Sequence, residues 1–164
     1  MGRQTITENA IVKAFFTLLE TKPFADITVL DVAKEAGVSR ATFYRYKKDL
    51  LSIFDDVISK DLTTLEESIT ESNFHEKIKE LLQFLYSRRK VILHISSATL
   101  NNNYAFNILQ FFRRLSLKYV EIKSDIREDL KAKEAERITY EMFGRFVDWV
   151  LSGMNEDMSH SFNP

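Results

Sequence analysis

Polar and basic side chains are concentrated between Ser39 and Lys48. An arginine can donate two hydrogen bonds to a guanine edge, and small methyl groups can contact thymine in the major groove of DNA. Hydroxyl and ammonium groups can also bind phosphates, which orients a protein on the duplex. The segment therefore predicts binding of double-stranded DNA. The side chains that we expect to face outward from it are Arg40, Ala41, Thr42, Tyr44 and Arg45.

Two short predicted helices would position these side chains. The first is expected to begin near Thr28, with Asp31 in its first turn, and to end at Gly37. Ser39 is expected to cap the second, which runs to about Tyr46. The pattern indicates a helix-turn-helix.

Small residues at the joint favour this geometry. A steep helix crossing needs small contact residues and a turn that accepts a left-handed backbone, and Ala33 and Gly37 meet the two demands. The alternative is a tight helical corner with no further role, in which Arg40 and Arg45 lie on a solvated face.

The remaining sequence predicts further helices and no sheet. Only four glycines and two prolines occur in 164 residues, so turns are few and the expected fold class is all-α. The first helix is predicted to begin at Thr5, with Glu8 completing a capping box. A long amphipathic helix is predicted from Leu50, and a second capping box is predicted at Asn73 and Glu76. The triplet Asn101–Asn103 predicts a turn before the last two long helices.

Composition excludes several classes of site. The chain has no cysteine, so disulfides, thiolate nucleophiles and cysteine-based zinc sites are absent. The histidines, His75, His94 and His160, are scattered, and we predict no metal and no cofactor. No glycine phosphate loop, serine-centred elbow or opposed carboxylate pair occurs, so an enzyme is not expected. No apolar stretch approaches a membrane span and the start lacks a signal-peptide core, so we expect a cytoplasmic protein with no membrane partner.

A more specific signal comes from the order of residues around the turn. Gly-Val-Ser at 37–39, Thr-Phe-Tyr-Arg-Tyr at 42–46, a lysine pair and then Leu50-Leu51 resemble the TetR family of transcriptional regulators. The resemblance covers roughly residues 5–60. It implies an N-terminal three-helix helix-turn-helix domain and a C-terminal helical bundle, with a homodimer formed through the last two helices. The implied domains are 1–48, with helix four starting there and continuing to about 60, and 49–164.

The resemblance also assigns residues to DNA. It implies that Thr28 caps the second helix and meets a phosphate there, and that Tyr44 binds phosphate. The link to helix four is about two residues shorter than the family pattern, which leaves open whether Lys47 or Lys48 takes the usual phosphate contact. The residues implied at the DNA are Thr28, Ser39, Arg40, Ala41, Thr42, Tyr44, Arg45, Tyr46, Lys47 and Lys48.

The last helix carries large apolar residues that suit either an interface or a core. Aromatic residues and methionine are enriched at the centres of protein interfaces, but the same residues could fill the subunit's own core. The expected dimer anchors are Met142, Phe143, Phe146 and Trp149.

Phenylalanine is abundant in the second half of the chain. A pocket for a small apolar effector is one interpretation, which the resemblance encourages, and a packed aromatic core is the one we favour. The residues proposed for such a pocket, beside Phe143, are Phe84, Phe106, Phe111 and Phe112.

These observations favour a dimeric, sequence-specific regulator of transcription. We expect a repressor that occupies a palindromic operator and is released by a small-molecule or protein effector. The alternative is a helical effector-binding or protein-interaction module that does not bind DNA.

Overall fold

The computed structural model describes residues 3–99, 104–123, 125–156 and 158. Within these ranges the chain forms helices and no strand, which confirms the all-α fold class. The predicted turn at Asn101–Asn103 and His160 lie outside the described residues. No helix among the described residues is long and apolar enough to cross a lipid bilayer. The helices are α1 (Arg3–Leu19), α2 (Val29–Glu35), α3 (Arg40–Tyr46), α4 (Leu50–Ser68), α5 (Phe74–Ser87), α6 (Arg89–Thr99), α7 (Tyr104–Ile122) and α8 (Glu128–Leu151), with 3-10 turns at Phe24–Asp26 and Glu71–Asn73.

The chain divides into two compact units, Met1–Asp61 and Leu62–Pro164. The N-terminal unit contains α1, α2, α3 and the first part of α4. Its helices bury apolar residues at spacings of three and four, which is the period of a helix face. The buried residues of this unit are Ile11, Ala14, Phe15, Leu19, Ile27, Val32, Ala33, Phe43, Leu50 and Ile53, with Lys47 among them.

Helix α1 begins earlier than the sequence predicted. Thr5 lies within the first turns of α1 rather than at its cap, because the helix already includes Arg3. Glu8 does not complete a capping box with Thr5. Its carboxylate accepts a hydrogen bond from the ammonium of Lys47 at 2.7 Å. Lys47 is 39 residues away from Glu8 in the sequence, so no local pattern indicates that the Glu8 carboxylate binds this lysine rather than the start of α1.

The corner between α2 and α3 is closed by Gly37. Gly37 has φ +68°, and its N–H donates to the Lys34 carbonyl at 3.1 Å, while the Val38 N–H donates to the Ala33 carbonyl at 2.9 Å. These two bonds form a Schellman motif, which satisfies carbonyls at the end of α2. The predicted end of this helix and the left-handed residue after it are confirmed.

The C-terminal unit is built around α7 and α8, which form the most extensive helix pair. Its main core combines residues from the end of α4, α5, α7 and α8. A smaller cluster forms around Trp149, Val150 and Met154. The buried residues of the main core are Ile69, Phe74, Ile78, Phe111, Phe112, Leu115, Val120, Ala135, Ile138 and Met142.

The capping box predicted at Asn73 and Glu76 is wrong. Asn73 makes no side-chain cap for α5. Its Oδ1 accepts from the Thr70 N–H at 2.7 Å, and its Nδ2 donates to the Ser68 carbonyl at 3.1 Å. The amide is therefore occupied by the preceding 3-10 turn, a competitor that the spacing alone did not reveal.

We predict opposite effects for two glycine substitutions. A Cβ at Gly37 would meet nothing within 4 Å, so Gly37→Ala suffers only left-handed backbone strain and should lower the free energy of unfolding by about 1 kcal/mol. Gly144→Ala in α8 also meets nothing and lies in a helix, so it should raise that free energy by roughly 0.5–1 kcal/mol. Urea unfolding followed by circular dichroism, at one protein concentration, measures both. A stabilising Gly37→Ala would contradict the assigned turn.

Candidate nucleic-acid interface

Helix α2 starts with a complete capping box. The Thr28 N–H and hydroxyl both donate to Asp31 Oδ2, at 2.9 and 2.8 Å, and the Asp31 N–H donates to Thr28 Oγ1 at 3.2 Å. The hydrogen bond from the Thr28 side chain is the main reason that the pKa of Asp31 is lowered, and Lys22, at 3.5 Å, adds to the effect. Both Thr28 donors are thus directed at a carboxylate of their own helix. The structure assigns Thr28 the role of a cap and does not present these donors to a phosphate.

Helix α3 starts at the predicted cap. Ser39 Oγ accepts from the Thr42 N–H at 3.0 Å and lies 2.9 Å from Thr42 Oγ1. This confirms Ser39 as the cap of the helix. The cap fixes the first turn, which carries Arg40 and Ala41, both exposed.

Packing sorts the rest of α3 into an inner and an outer side. Phe43 is completely buried, whereas Tyr44 is 51% exposed and Arg45 is exposed. Tyr46 is half-buried, and the guanidinium of Arg45 lies 5.2 Å from the centre of its ring. Because Phe43 is the buried residue of α3, the polar residues on the other side of the helix are left exposed to solvent. We call this side, made of Arg40, Ala41, Tyr44 and Arg45 with the half-buried Thr42, the α3 face.

The two lysines after α3 have different environments. The side chain of Lys47 is only 5% exposed, and its ammonium donates to Glu8 Oε1 of α1 and Asp56 Oδ2 of α4, each at 2.7 Å. Burial acts to lower the pKa of Lys47, but the hydrogen bonds from it to Asp56 and Glu8 outweigh burial and raise that pKa. Lys48 is exposed. The structure therefore does not bring Lys47 to the α3 face, and Lys48 is the lysine available beside it.

A short link joins α3 to α4. Asp49 Oδ1 accepts from the Ser52 N–H at 2.7 Å, and the Asp49 N–H donates to Ser52 Oγ at 3.3 Å. This reciprocal pair caps α4 directly after Lys48. Sequence reasoning missed the cap, although an aspartate followed three residues later by a serine is a local signal for one.

An exposed leucine was also missed. Leu30, in the first turn of α2, is among the large apolar residues left exposed in the N-terminal unit. Its neighbours Thr28 and Asp31 form the cap described above. Val32 and Ala33 of the same helix are buried, so Leu30 is the large apolar side chain that α2 leaves in contact with solvent.

The predicted dimer anchors lie inside the packing of one subunit. Met142 and Trp149 are buried, and Phe143 and Phe146 pack partly buried against the main core. The Trp149 Nε1–H donates to the Glu156 carbonyl at 2.7 Å, and its ring stacks on Tyr86. The surfaces of Met142 and Trp149 are thus covered by their own chain, and their role as dimer anchors stays a prediction.

The four residues predicted to line an apolar pocket lie in two different environments. Phe111 and Phe112 are buried in the main core, where Phe112 contacts the rings of Phe143 and Phe146. Phe84 and Phe106 are 46% and 60% exposed. The four predicted lining residues therefore divide between the core and the surface, and the favoured alternative, a packed aromatic core, applies to the buried pair.

A different depression lies between α7 and α8. It is an open groove with a volume of about 430 Å³. Two large side chains in it, Leu117 and Tyr140, are exposed. The charged groups in the same lining are Arg113, Lys133 and Glu136.

Comparison with known proteins identifies the N-terminal unit. A family model described as "Bacterial regulatory proteins, tetR family" matches residues 11–50, which contain the second half of α1 together with α2 and α3. The HTH-type transcriptional regulator EthR of Mycolicibacterium smegmatis is 49% identical over 57 residues, covering 32% of this chain and 26% of that protein. EthR of Mycobacterium tuberculosis (strain ATCC 25618 / H37Rv) is 41% identical over 73 residues, covering 40% of this chain and 34% of its own length. The matched part of the chain thus spans about a third or less of these relatives.

One solved structure resembles most of the chain in fold. The dihydroxyacetone kinase operon activator DhaS superposes with a TM-score of 0.77 at 17% sequence identity, over 95% of this chain and 89% of that one. At this identity the likeness concerns the fold alone. The family match over residues 11–50 and the identity to the two EthR proteins show that part of the chain, including the helix-turn-helix, is similar to bacterial regulatory proteins of the tetR family.

Proposed function

We propose that the protein is a sequence-specific DNA-binding regulator of transcription. The observation that carries this proposal is the α3 face, a polar and basic helix surface left uncovered on a helix-turn-helix corner. The family match over the same residues supports it. In helix-turn-helix proteins the N-terminal residues of the second helix contact base edges in the major groove.

The side chains of the α3 face suit distinct contacts. Arg40, in the first turn, can donate to guanine O6 and N7, and the methyl group of Ala41 can contact thymine. Tyr44, Arg45 and Lys48 are exposed and suit phosphate oxygens. The margin of the proposed interface includes Ser39, Thr42 and Tyr46. Thr28 and Lys47 are left out, because their polar hydrogens are committed to carboxylates of the protein itself.

We propose that the regulator acts as a homodimer on a palindromic operator. One helix-turn-helix contacts few bases, and two copies about 34–36 Å apart meet one face of the duplex. The groove between α7 and α8 supports a dimer through these helices, because it exposes Leu117 and Tyr140 beside both signs of charge, Arg113 and Glu136. A two-fold contact can pair such a surface with its own copy.

Repression is the simplest outcome of such binding. An operator-bound dimer blocks polymerase by occupancy alone, whereas activation needs an additional surface that contacts polymerase. We therefore propose a repressor. A measured increase in transcription from a bound promoter on adding the protein would reverse this part of the proposal.

We predict that two substitutions separate phosphate contact from base contact. Selection of a random-sequence duplex library on the wild-type protein supplies a probe, the selected duplex. Lys48→Ala should weaken binding to all sequences alike and reduce the slope of log affinity against log salt by about 2, because a dimer loses one phosphate contact in each half-site. Arg40→Ala should cost about 1–3 kcal/mol for each half-site of the selected duplex and relax the preference at one position in each half-site.

The control for this experiment is the exposed Lys79→Ala, which lies in α5 of the other unit and should leave affinity and slope unchanged. Failure of the library to enrich any sequence, together with no salt-dependent binding by wild-type protein, would favour a protein-interaction module instead.

We predict that a charge in the α7–α8 groove dissociates the dimer. Tyr140 is 59% exposed, so Tyr140→Glu should leave the single subunit folded. Burying an unpaired carboxylate at the interface should weaken dimerisation by roughly a hundredfold. Sedimentation velocity over a concentration series measures the change. Phe84→Glu, at an exposed aromatic of α5 outside the groove, is the matched control, and equal loss of dimer in both variants would contradict the assigned face.

A further inference from the structure

One side chain at the end of α3 contacts two other helices. Lys47 directly follows Tyr46, the last residue of α3, and its N–H donates to the Phe43 carbonyl at 2.9 Å. Its ammonium binds Glu8 of α1 and Asp56 of α4. These partners are 39 and 9 residues away in sequence, so the contact ties together three helices of the N-terminal unit.

The burial of this lysine requires its two partners. Lysine is almost never fully buried unless its charge is paired. The side chain of Lys47 is almost fully covered, whereas its partners remain near the surface, with side-chain exposures of 45% for Glu8 and 59% for Asp56. Removing the partners leaves a covered cation without compensation, which favours movement of the lysine and of the backbone that carries it.

The covered lysine stands next to residues proposed for DNA binding. Tyr46 precedes it and Lys48 follows it, so any movement of the Lys47 backbone moves both. Its ammonium is hydrogen-bonded to two carboxylates of the protein, and its side chain is almost fully covered. The contact therefore suits a residue that sets the orientation of α3 and of the link, and it does not suit a phosphate contact.

We infer that Lys47 is a positioning residue for DNA binding, which orients α3 through Glu8 and Asp56 and does not itself touch the duplex. The inference rests on the proposed function. It replaces a phosphate role for this lysine with an indirect one.

Positioning and electrostatics predict opposite results when the two carboxylates are removed. Glu8→Ala/Asp56→Ala removes two negative charges and places alanine, a strong helix former, within α1 and α4. If charge alone mattered, the protein should bind DNA more tightly. If Lys47 positions α3, affinity for the selected duplex should fall about three- to tenfold.

The matched control is Asp26→Ala/Glu35→Ala, which removes two exposed carboxylates of the same unit that do not pair with Lys47. It should bind the selected duplex as tightly as wild type, or more tightly. Titrations by fluorescence anisotropy are made at a temperature where circular dichroism shows every variant folded. The single variant Glu8→Ala, which keeps the Asp56 pair, should lie between wild type and the double variant.

A second measurement separates positioning from direct contact. Lys47→Met should weaken binding while leaving the salt slope at its wild-type value, whereas Lys48→Ala should reduce that slope by about 2 for the dimer. A slope reduction in Lys47→Met would overturn the inference, because it would show a phosphate contact. Unchanged or tighter binding by Glu8→Ala/Asp56→Ala would also overturn it. If wild-type protein itself shows no salt-dependent binding to the selected duplex, the proposed function fails, and that result is distinct from either of these.

Discussion

A helix of seven residues is not stable alone in water, so α3 depends on its attachment to the N-terminal unit. Phe43 supplies that attachment, because its ring is completely buried. Ser39 fixes the start of the helix and Lys47 fixes its end. Contacts at both ends of α3 and the buried ring of Phe43 therefore fix the α3 face. Its orientation depends on the whole N-terminal unit and not on the helix alone.

The features that the sequence predicts well are those whose partners lie within a few residues. The caps at Thr28 and Ser39 and the left-handed turn at Gly37 each use a partner three to five positions away. The outward side of α3 follows from the same short range, because one inward residue, Phe43, fixes the helix rotation. Much of the candidate interface is for this reason available from the sequence.

The features that the sequence does not predict depend on distant partners. Nothing near Lys47 in the sequence indicates that Glu8 will pair with it, and the charge of a lysine after a basic helix suggests phosphate instead. The apolar pattern of α8 likewise identifies an apolar side without saying what covers it. Trp149 is covered by its own chain, whereas Tyr140 is left exposed in the groove beside α7. A helix with apolar residues on more than one side can contribute both to a core and to an interface. The apolar pattern does not show which residues belong to the core and which to the interface, whereas the packing of the folded chain does.

Charge gives the proposed function a further constraint. The formal net charge of the chain is −1, and the covered Lys47 is compensated by two carboxylates, so little long-range attraction to DNA is available. At physiological salt the Debye length is about 8 Å, and the few exposed cations near α3 act only at contact distance. Non-specific affinity, which scales with the number of phosphates neutralised, is then low. Discrimination between sites must come from base contacts made by a correctly oriented α3, and useful affinity must come from two such helices acting together. Under the proposed function, the positioning of one short helix and the pairing of two subunits would thus carry the binding energy that a basic protein draws from its overall charge.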